Sequence, residues 1–460
     1  MSSYPTVVDR LRSQLSSHAE ARGVPAAAVA VVVGDEIIEH AVGVLSTATG
    51  VAATTDSIFQ IGSITKVWTA TLVMQLVDEG RIELDVPVRQ YLPEFRLGDP
   101  SAADAITVRH LLSHRAGFEG DIFTDTGRGD DAIAKYVELL SDAAQTFAPG
   151  ALFSYNNAGY VVLGRLVESV LDTTWEKALV ERIATPLGAQ TVSPSPYEAI
   201  LHRAAVGHVG PDEHGIQTPA PFWAMARSNE PAGSMLAMSA HDLALFARAH
   251  LRGGTAEGGS ILSPESVTAM RSTEVRLPDL AGMGSAWGLG WEIDRDDEAP
   301  LFGHDGNTVG QSSFLRIAPE AGVAIVLLTN GGDGAGLLRD IVDPLLRELT
   351  GHGLPTAPEP SADAATGGVD AFLGVYANST MEMEVARDGD GRVWLEQRPS
   401  PELQALGGEP SRDELVRFGD DALIMKEKKD GMHLVLAFLE PAEDGRSSFV
   451  HFGRAVARSN

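Results

Sequence analysis

What most constrains the fold of this chain is the placement of its apolar, β-branched runs. Two of them, Ala26–Val33 and Ile37–Val44, stand near the start, joined by the hairpin signal Gly34-Asp35-Glu36. The next comparable runs, Leu301–His304, Gln311–Ile317 and Val323–Leu328, come only after residue 300 and read as consecutive antiparallel strands. An isolated hairpin is marginal in water, so the early runs need the late ones as neighbours. The pattern therefore predicts one sheet built from both ends of residues 26–349, with helices inserted between.

The inserted and flanking segments follow a helical period. Val7, Val8, Leu11 and Leu15 mark an amphipathic helix over residues 5–22. A second helical pattern starts at Ser63 and runs to about Gly80. Thr107 caps a short helix through His114, Ser239 caps one to Leu251, and Leu337 to Leu349 forms a last one. Residues 131–183 read as mostly helical, broken at Pro149-Gly150. From 186 to 232 the chain is rich in Pro, Gly and His without periodicity, which predicts long loops of the kind that often carry function. Trp287 to Ile293 opens a β region. The class expected is α+β, an antiparallel sheet flanked by helices with a helical subdomain within about 70–290.

Gly351 to Gly368 is rich in Pro, Ala and Gly and reads as a linker. Beyond it, Met381–Ala386, Val393–Glu396, Ala422–Met425, His433–Phe438 and Ser448–Phe452 are short, partly alternating runs between Asp/Gly turns. They predict a small all-β domain, sandwich or barrel. The expected domains are residues 1–350, a linker over 351–368, and 369–460.

Composition narrows the function. The net charge of −28, from 63 acidic and 35 basic residues, repels nucleic acid. There is no cysteine, which removes disulfides, thiolate metal sites and cysteine nucleophiles together. No apolar run is long enough to span a membrane. Met1 to Gly23 carries Asp9, Arg10, Arg12 and Glu20 and lacks the apolar core of a secretory signal, so a cytoplasmic protein is expected.

Chemistry is suggested first by Ser63-Ile64-Thr65-Lys66. Residues three apart share a helix face, so the hydroxyl and the amine can meet, and the helix start adds free N–H groups and partial positive charge. Only Lys66 among the six lysines has a serine three residues before it. Tyr155-x-Asn157 falls between helical segments, and His304-Asp305-Gly306 ends a strand, where the glycine permits close backbone approach. Taken singly, Tyr155 and His304 read better as buried structural residues than as catalytic ones. His110 and His114 have the i, i+4 spacing of a metal face, but no His-Glu-x-x-His string accompanies them, and the surrounding leucines favour a packed helix. No metal and no cofactor are expected. A Gly-x-Ser-x-Gly elbow and a Gly-Lys-Ser/Thr phosphate loop are both missing.

The order Ser-x-x-Lys, Tyr-x-Asn, His-x-Gly resembles the serine β-lactamase and penicillin-binding-protein superfamily in its class C-like branch. So do the flanking phrases from Phe59 to Lys66, Ile106 to His114, Pro149-Gly150, Tyr155 to Tyr160, Pro231-Ala232-Gly233 and Gly303 to Gly306. The resemblance implies that Ser63 is acylated, that Lys66 and Tyr155 move its proton, and that Asn157 holds Lys66 and the substrate amide. It implies an oxyanion hole from the N–H groups of Ser63 and Asn307. His304 replaces the Lys of the family's Lys-Thr-Gly motif, which turns the expectation from β-lactamases toward esterases, D-amino-acid peptidases and acyl transferases.

The added β domain resembles that of the stand-alone penicillin-binding-protein-type thioesterases, which release a nonribosomal peptide from its carrier as a head-to-tail ring. Their C-terminal domain is lipocalin-like and contributes an Arg to the site. Phe452-Gly453-Arg454-Ala455 is the matching stretch here, and Arg454 reads equally as that residue or as a surface Arg on a last strand. The implied substrate is a peptidyl thioester or acyl-D-amino-acid peptide, delivered by a peptidyl carrier protein. A cytoplasmic D-aminopeptidase, amidase or esterase using Ser63 is the rival within the class. A catalytically silent binding protein is the rival outside it.

Overall fold

The computed structural model describes residues 4–210, 216–278, 280, 282–295, 299–361, 368–405, 408–429 and 431–459. Residues 211–215 of the expected loop region and 362–367 of the expected linker lie outside the described residues.

The body is organised on an eight-stranded antiparallel sheet. Its strands are β1 (Ala26–Val33), β2 (Glu36–Gly43), β3 (Val275–Arg276), β4 (Ala286–Trp287), β5 (Glu292–Arg295), β6 (Leu301–Thr308), β7 (Gln311–Ala318) and β8 (Val323–Thr329), in spatial order β2-β1-β8-β7-β6-β5-β4-β3. The first strand pairs with the last, Ala27 opposite Thr329 and Val33 opposite Val323, so the sheet does join the two ends of the segment. β1 is buried on both faces and alternates between two cores. Ala27, Val29 and Val31 pack with Val7, Leu11 and Leu15 of helix α1 (Tyr4–Ala21) and with Leu338, Ile341 and Leu345. Ala26, Ala28, Ala30 and Val32 share the opposite core with the helices of the insertion.

In that second core lies helix α2 (Thr65–Asp78), almost wholly buried. A helix apolar on every side belongs inside a protein rather than on its surface. Trp68 of α2 stacks on Phe246, with ring centroids 4.5 Å apart. Phe246 belongs to α5 (Ala240–Leu251), which comes after α3 (Val108–Leu112) and α4 (Asn157–Leu171) in the chain. The caps fall where expected, Thr107 accepting from His110 N and Ser239 from Asp242 N. The break at Pro149-Gly150 is longer than expected, since residues 143–156 contain no helix and form the loop that carries Tyr155. The last helix widens to a π turn over Leu338–Val342 before α6 (Asp343–Thr350). Pro344 brings no N–H and crowds the carbonyl four residues back, which the wider turn relieves.

The C-terminal unit is an eight-stranded antiparallel meander: β9 (Gly374–Ala377), β10 (Met381–Arg387), β11 (Val393–Pro399), β12 (Ser411–Phe418), β13 (Ala422–Met425), β14 (Val435–Pro441), β15 (Ser447–His451) and β16 (Ala455–Ala457). A bridge between Tyr376 and Arg458 brings the first strand to the end of the last and nearly closes a barrel. Of these strands β12 carries little apolar signal, because Ser-Arg-Asp-Glu-Leu-Val-Arg-Phe is polar over its first half and buries only Leu415 and Val416. The interior is filled by Met383, Val385, Leu395, Leu415, Leu423, Leu436 and Val450. The barrel abuts the body through Phe147 against Phe449, edge to face at 6.3 Å, and through His451 Nε2 donating to Phe153 O at 2.8 Å.

Candidate active site

The Ser63 turn is made by glycine. Gly62 sits at φ 51°, opening a one-turn 3₁₀ segment, Gly62–Ile64, that runs directly into α2. Ser63 is therefore just ahead of the α-helix rather than inside its first turn, and Lys66 still lies on the same face. Two other glycines let backbone crowd this turn. A Cβ on Gly233 would stand 2.2 Å from Gly62 O, and one on Gly306 would stand 2.0 Å from Ile61 O. A Cβ on Gly62 would itself lie 2.6 Å from Asn307 N, so the Asn307 amide sits beside the Gly62–Ser63 peptide. β5 pairs with β6 only as far as Gly303, leaving the His304–Asn307 edge to face Ser63.

Lys66 is wholly buried, with Nζ 3.0 Å from Ser63 Oγ and 2.6 Å from Ala232 O. Burial, and then the charge of Arg454, push its amine well below the ordinary value of 10.5, against a weaker pull from Asp121. The amine is thus free to accept the Ser63 proton. Tyr155 is buried and its phenol hydrogen-bonds with the Ser63 hydroxyl. Burial pushes its phenol above the ordinary value, although Ser63 and Arg454 oppose the shift, so Tyr155 keeps its proton. An amine of lowered pKa and a phenol of raised pKa meet at one hydroxyl.

His304 is buried against Trp287, 5.4 Å between centroids, and directs Nδ1 to Asp305 O at 2.6 Å. Burial and Lys66 lower its pKa to about 3, so it is neutral where a Lys-Thr-Gly enzyme would carry an ammonium. Behind it, Arg316, itself buried, pairs with Asp305 and with Asp294 at 3.0 Å and so fixes the stretch of β6 that carries His304 and Gly306, which lie within the strand and not at its end as expected.

Asn157 opens α4 and donates through Nδ2 to Asp121 Oδ1 at 2.7 Å. The contact to Lys66 expected of Asn157 is made instead by the Ala232 carbonyl. Asp121 also receives the barrel. Arg454 Nε donates to its Oδ2 at 2.6 Å and Nη2 to its Oδ1 at 3.2 Å, a fork that leaves Nη1 for the cleft. The guanidinium lies 5.0 Å from the centre of the Tyr155 ring, and Lys66 Nζ lies 4.9 Å from it. Backbone fixes the same junction, Tyr155 N donating to Gly453 O at 3.0 Å and Ala455 N to Ser154 Oγ at 3.2 Å. Burial works against a charged Asp121, yet the Arg454 and Asn157 contacts hold its carboxyl below the usual range.

The structure thus brings Ser63, Tyr155, Asn157, His304, Asn307 and Arg454 to the wall of one cleft of about 1620 Å³, with Lys66 buried behind Ser63. Sequence reasoning missed Asp121, which carries no signal beyond a loop Gly-Asp. It also missed the platform under Tyr155. His110 and His114 do not share a helix, since α3 ends at Leu112 and His114 takes φ 56°. His110 Nδ1 accepts from Thr107 N to complete the cap. The His114 ring stacks on Tyr155 at 4.4 Å, its Nδ1 accepting from Asn156 N at 2.9 Å. Among the described residues no cluster of His, Asp and Glu could hold a metal, and no helix is long and apolar enough to cross a membrane.

A nucleophile beside a buried amine and a buried phenol, in a turn flanked by backbone N–H groups, defines a serine acyl-enzyme catalyst of the β-lactamase and penicillin-binding-protein type. The comparisons agree, and the chain belongs to the Beta-lactamase family, whose model matches residues 11–347. It is 43% identical to penicillin-binding protein 4 of Amycolatopsis lactamdurans over 357 residues, 77% of this chain and 93% of that one. It is 29% identical to esterase EstB of Burkholderia gladioli, over 68% of this chain and 87% of the other. The crystal structure of SurE superposes with a TM-score of 0.81 at 28% identity, covering 99% of this chain and 100% of that one, so the barrel is included. SurE in complex with D-Leu gives a TM-score of 0.78 at the same 28% identity.

Proposed function

We propose that this protein releases a peptide from a thioester through an acyl-enzyme on Ser63 and closes it head to tail. The observation that carries the reading is Lys66 Nζ, wholly buried and 3.0 Å from Ser63 Oγ, with its pKa pushed down by that burial. In acylation, Ser63 Oγ attacks the thioester carbon while its proton passes to Lys66. The C–S bond breaks, and Tyr155 protonates the departing thiolate as Lys66 restores its proton. The Ser63 and Asn307 N–H groups take the charge that develops on the carbonyl oxygen. In deacylation the peptide's own amine attacks. A C–N bond forms, the C–O bond to Ser63 breaks, and the amine proton returns through Lys66 to Oγ.

Two observations support the finer reading. SurE, with the same two-part architecture, has been crystallised with D-Leu, in keeping with a D-configured residue at the acylated end. The barrel also lends Arg454 to the rim beside Tyr155, where Nη1 can hold a peptide carbonyl. A peptidyl carrier protein would supply such a substrate in the cytoplasm, the setting we assign. Cyclisation requires that the amine outcompete water, which buried acid and base groups favour.

Incubation with a peptidyl thioester mimic ending in a D residue tests the proposal, with cyclic peptide the expected product. Linear acid as the sole product would sink the cyclase reading in favour of a D-peptidase, amidase or esterase. A fluorophosphonate adduct that Ser63→Ala abolishes is expected in either case. No adduct with any acylating agent would indicate a silent binding protein.

A further inference from the structure

The exposed apolar side chains of this protein are concentrated. Of the nine large ones exposed among the described residues, Phe123, Tyr197, Ile200, Leu201, Val209 and Phe222 belong to the segments around the mouth of the catalytic cleft. Phe123, Tyr197, Val209 and Phe222 line the cleft itself, together with Ser63. Tyr197 is 70% and Phe222 49% exposed, although such rings are usually buried. Scattered apolar residues need no explanation, whereas a contiguous set on one rim marks a surface that something covers.

We infer that this rim is the subsite for large apolar side chains of the acyl chain, remote from the carbonyl that Ser63 attacks. The inference rests on the acyl-enzyme reading above and specifies its substrate. Continuity with the cleft selects the substrate as occupant over a separate protein. Size agrees, because about 1620 Å³ exceeds the roughly 300–1000 Å³ typical of small-ligand pockets. A thioester's leaving arm is thin, so the bulk that fills such a cleft is the acyl group. Polar side chains would cover the rings without gaining the transfer energy that apolar ones gain.

The test uses thioesters of one length and one C-terminal residue, with Leu or Ser at the remote positions. Wild-type kcat/KM is expected to favour Leu by about fivefold to tenfold per residue. The double variant Tyr197→Ser/Phe222→Ser should flatten that preference to within about twofold, while fluorophosphonate labels Ser63 at the wild-type rate. Equal rates across the series in wild type, or a preference that survives in the variant, would overturn the inference. Should the double variant fail to label, Phe123→Ser and Val209→Ser carry the same comparison. Calorimetric binding of the matching peptide amides to Ser63→Ala protein must show the same order. That arm decides on the subsite even if Ser63 proves not to be acylated, a result that would reject the acyl-enzyme reading alone.

Discussion

Two corners of the cleft face each other across the Tyr155 ring and are built in opposite ways. The Ser63–Lys66 corner is local and dry, two side chains three residues apart on one helix entry, with the amine's pKa pushed down by burial. The Arg454–Asp121 corner is long-range and partly wet, a charged pair 333 residues apart in sequence, with side chains 34% and 26% exposed. The first obtains its reactivity by removing charge and the second its grip by keeping it. Because Arg454 lowers the Lys66 pKa and Asp121 raises it, the second corner also tunes the first. Catalytic power and substrate hold are therefore coupled through charge although the two corners share no bond.

The sharpest way to break this contrast is to remove the buried amine. Lys66→Met is expected to lower kcat/KM by about a thousandfold or more, measured with any thioester the wild type accepts. Its stability should also lose a pH dependence. The unfolded lysine holds a proton that the folded one lacks, so in wild type stability rises with pH between the depressed folded value and 10.5. Urea unfolding across that window should show the rise in wild type and its loss in the variant. Next comes Gly306→Ala, whose Cβ would stand 2.0 Å from Ile61 O. Displacing β6 from the Ser63 turn should cost about 1–3 kcal/mol in unfolding free energy and slow acylation about a hundredfold, read by fluorophosphonate labelling.

Asp121→Asn and Arg454→Met should each cost about tenfold in kcat/KM, the loss of one charge-assisted contact. Their acid limbs should move in opposite directions. Without Arg454 the Lys66 pKa rises, so activity is lost at a higher pH as acid is added; without Asp121 it falls, and activity persists to lower pH. Limbs that move together would show the pair to be a structural clip only. The smallest effect is expected at Arg398, which pairs with Glu382, Glu384 and Glu396 on the barrel surface. Arg398→Ala should cost less than about 1 kcal/mol by chemical denaturation, the yardstick for an ion pair with no site to serve.

The same contrast explains how much could be read from the sequence. Ser63 and Lys66 announced themselves because a helix makes their meeting a matter of spacing, and the join of the sheet followed from runs that had no local partner. Tyr155, Asn157 and His304 were legible through their order along the chain. Asp121 was not, since nothing near it in sequence says that a barrel strand will deliver a guanidinium there. His114 was seen and misplaced, because i, i+4 spacing counts only while the helix lasts, and α3 stops at Leu112. The barrel strand Ser411–Phe418 escaped because alternation marks a strand clearly only when one face is apolar.

The pairing of β1 with β8 also sets a clock on biosynthesis. Val33 finds its neighbour at Val323, 290 residues later in the chain. At about 5–20 residues per second, the amino-terminal hairpin waits roughly 15–60 s for that strand to leave the ribosome. Throughout that interval β1, alanine and valine along its whole length, is paired with β2 on one edge only. Nascent chains stalled before β8 should therefore engage chaperones strongly, and the nucleophile turn can be braced by β6 only near the end of the same wait.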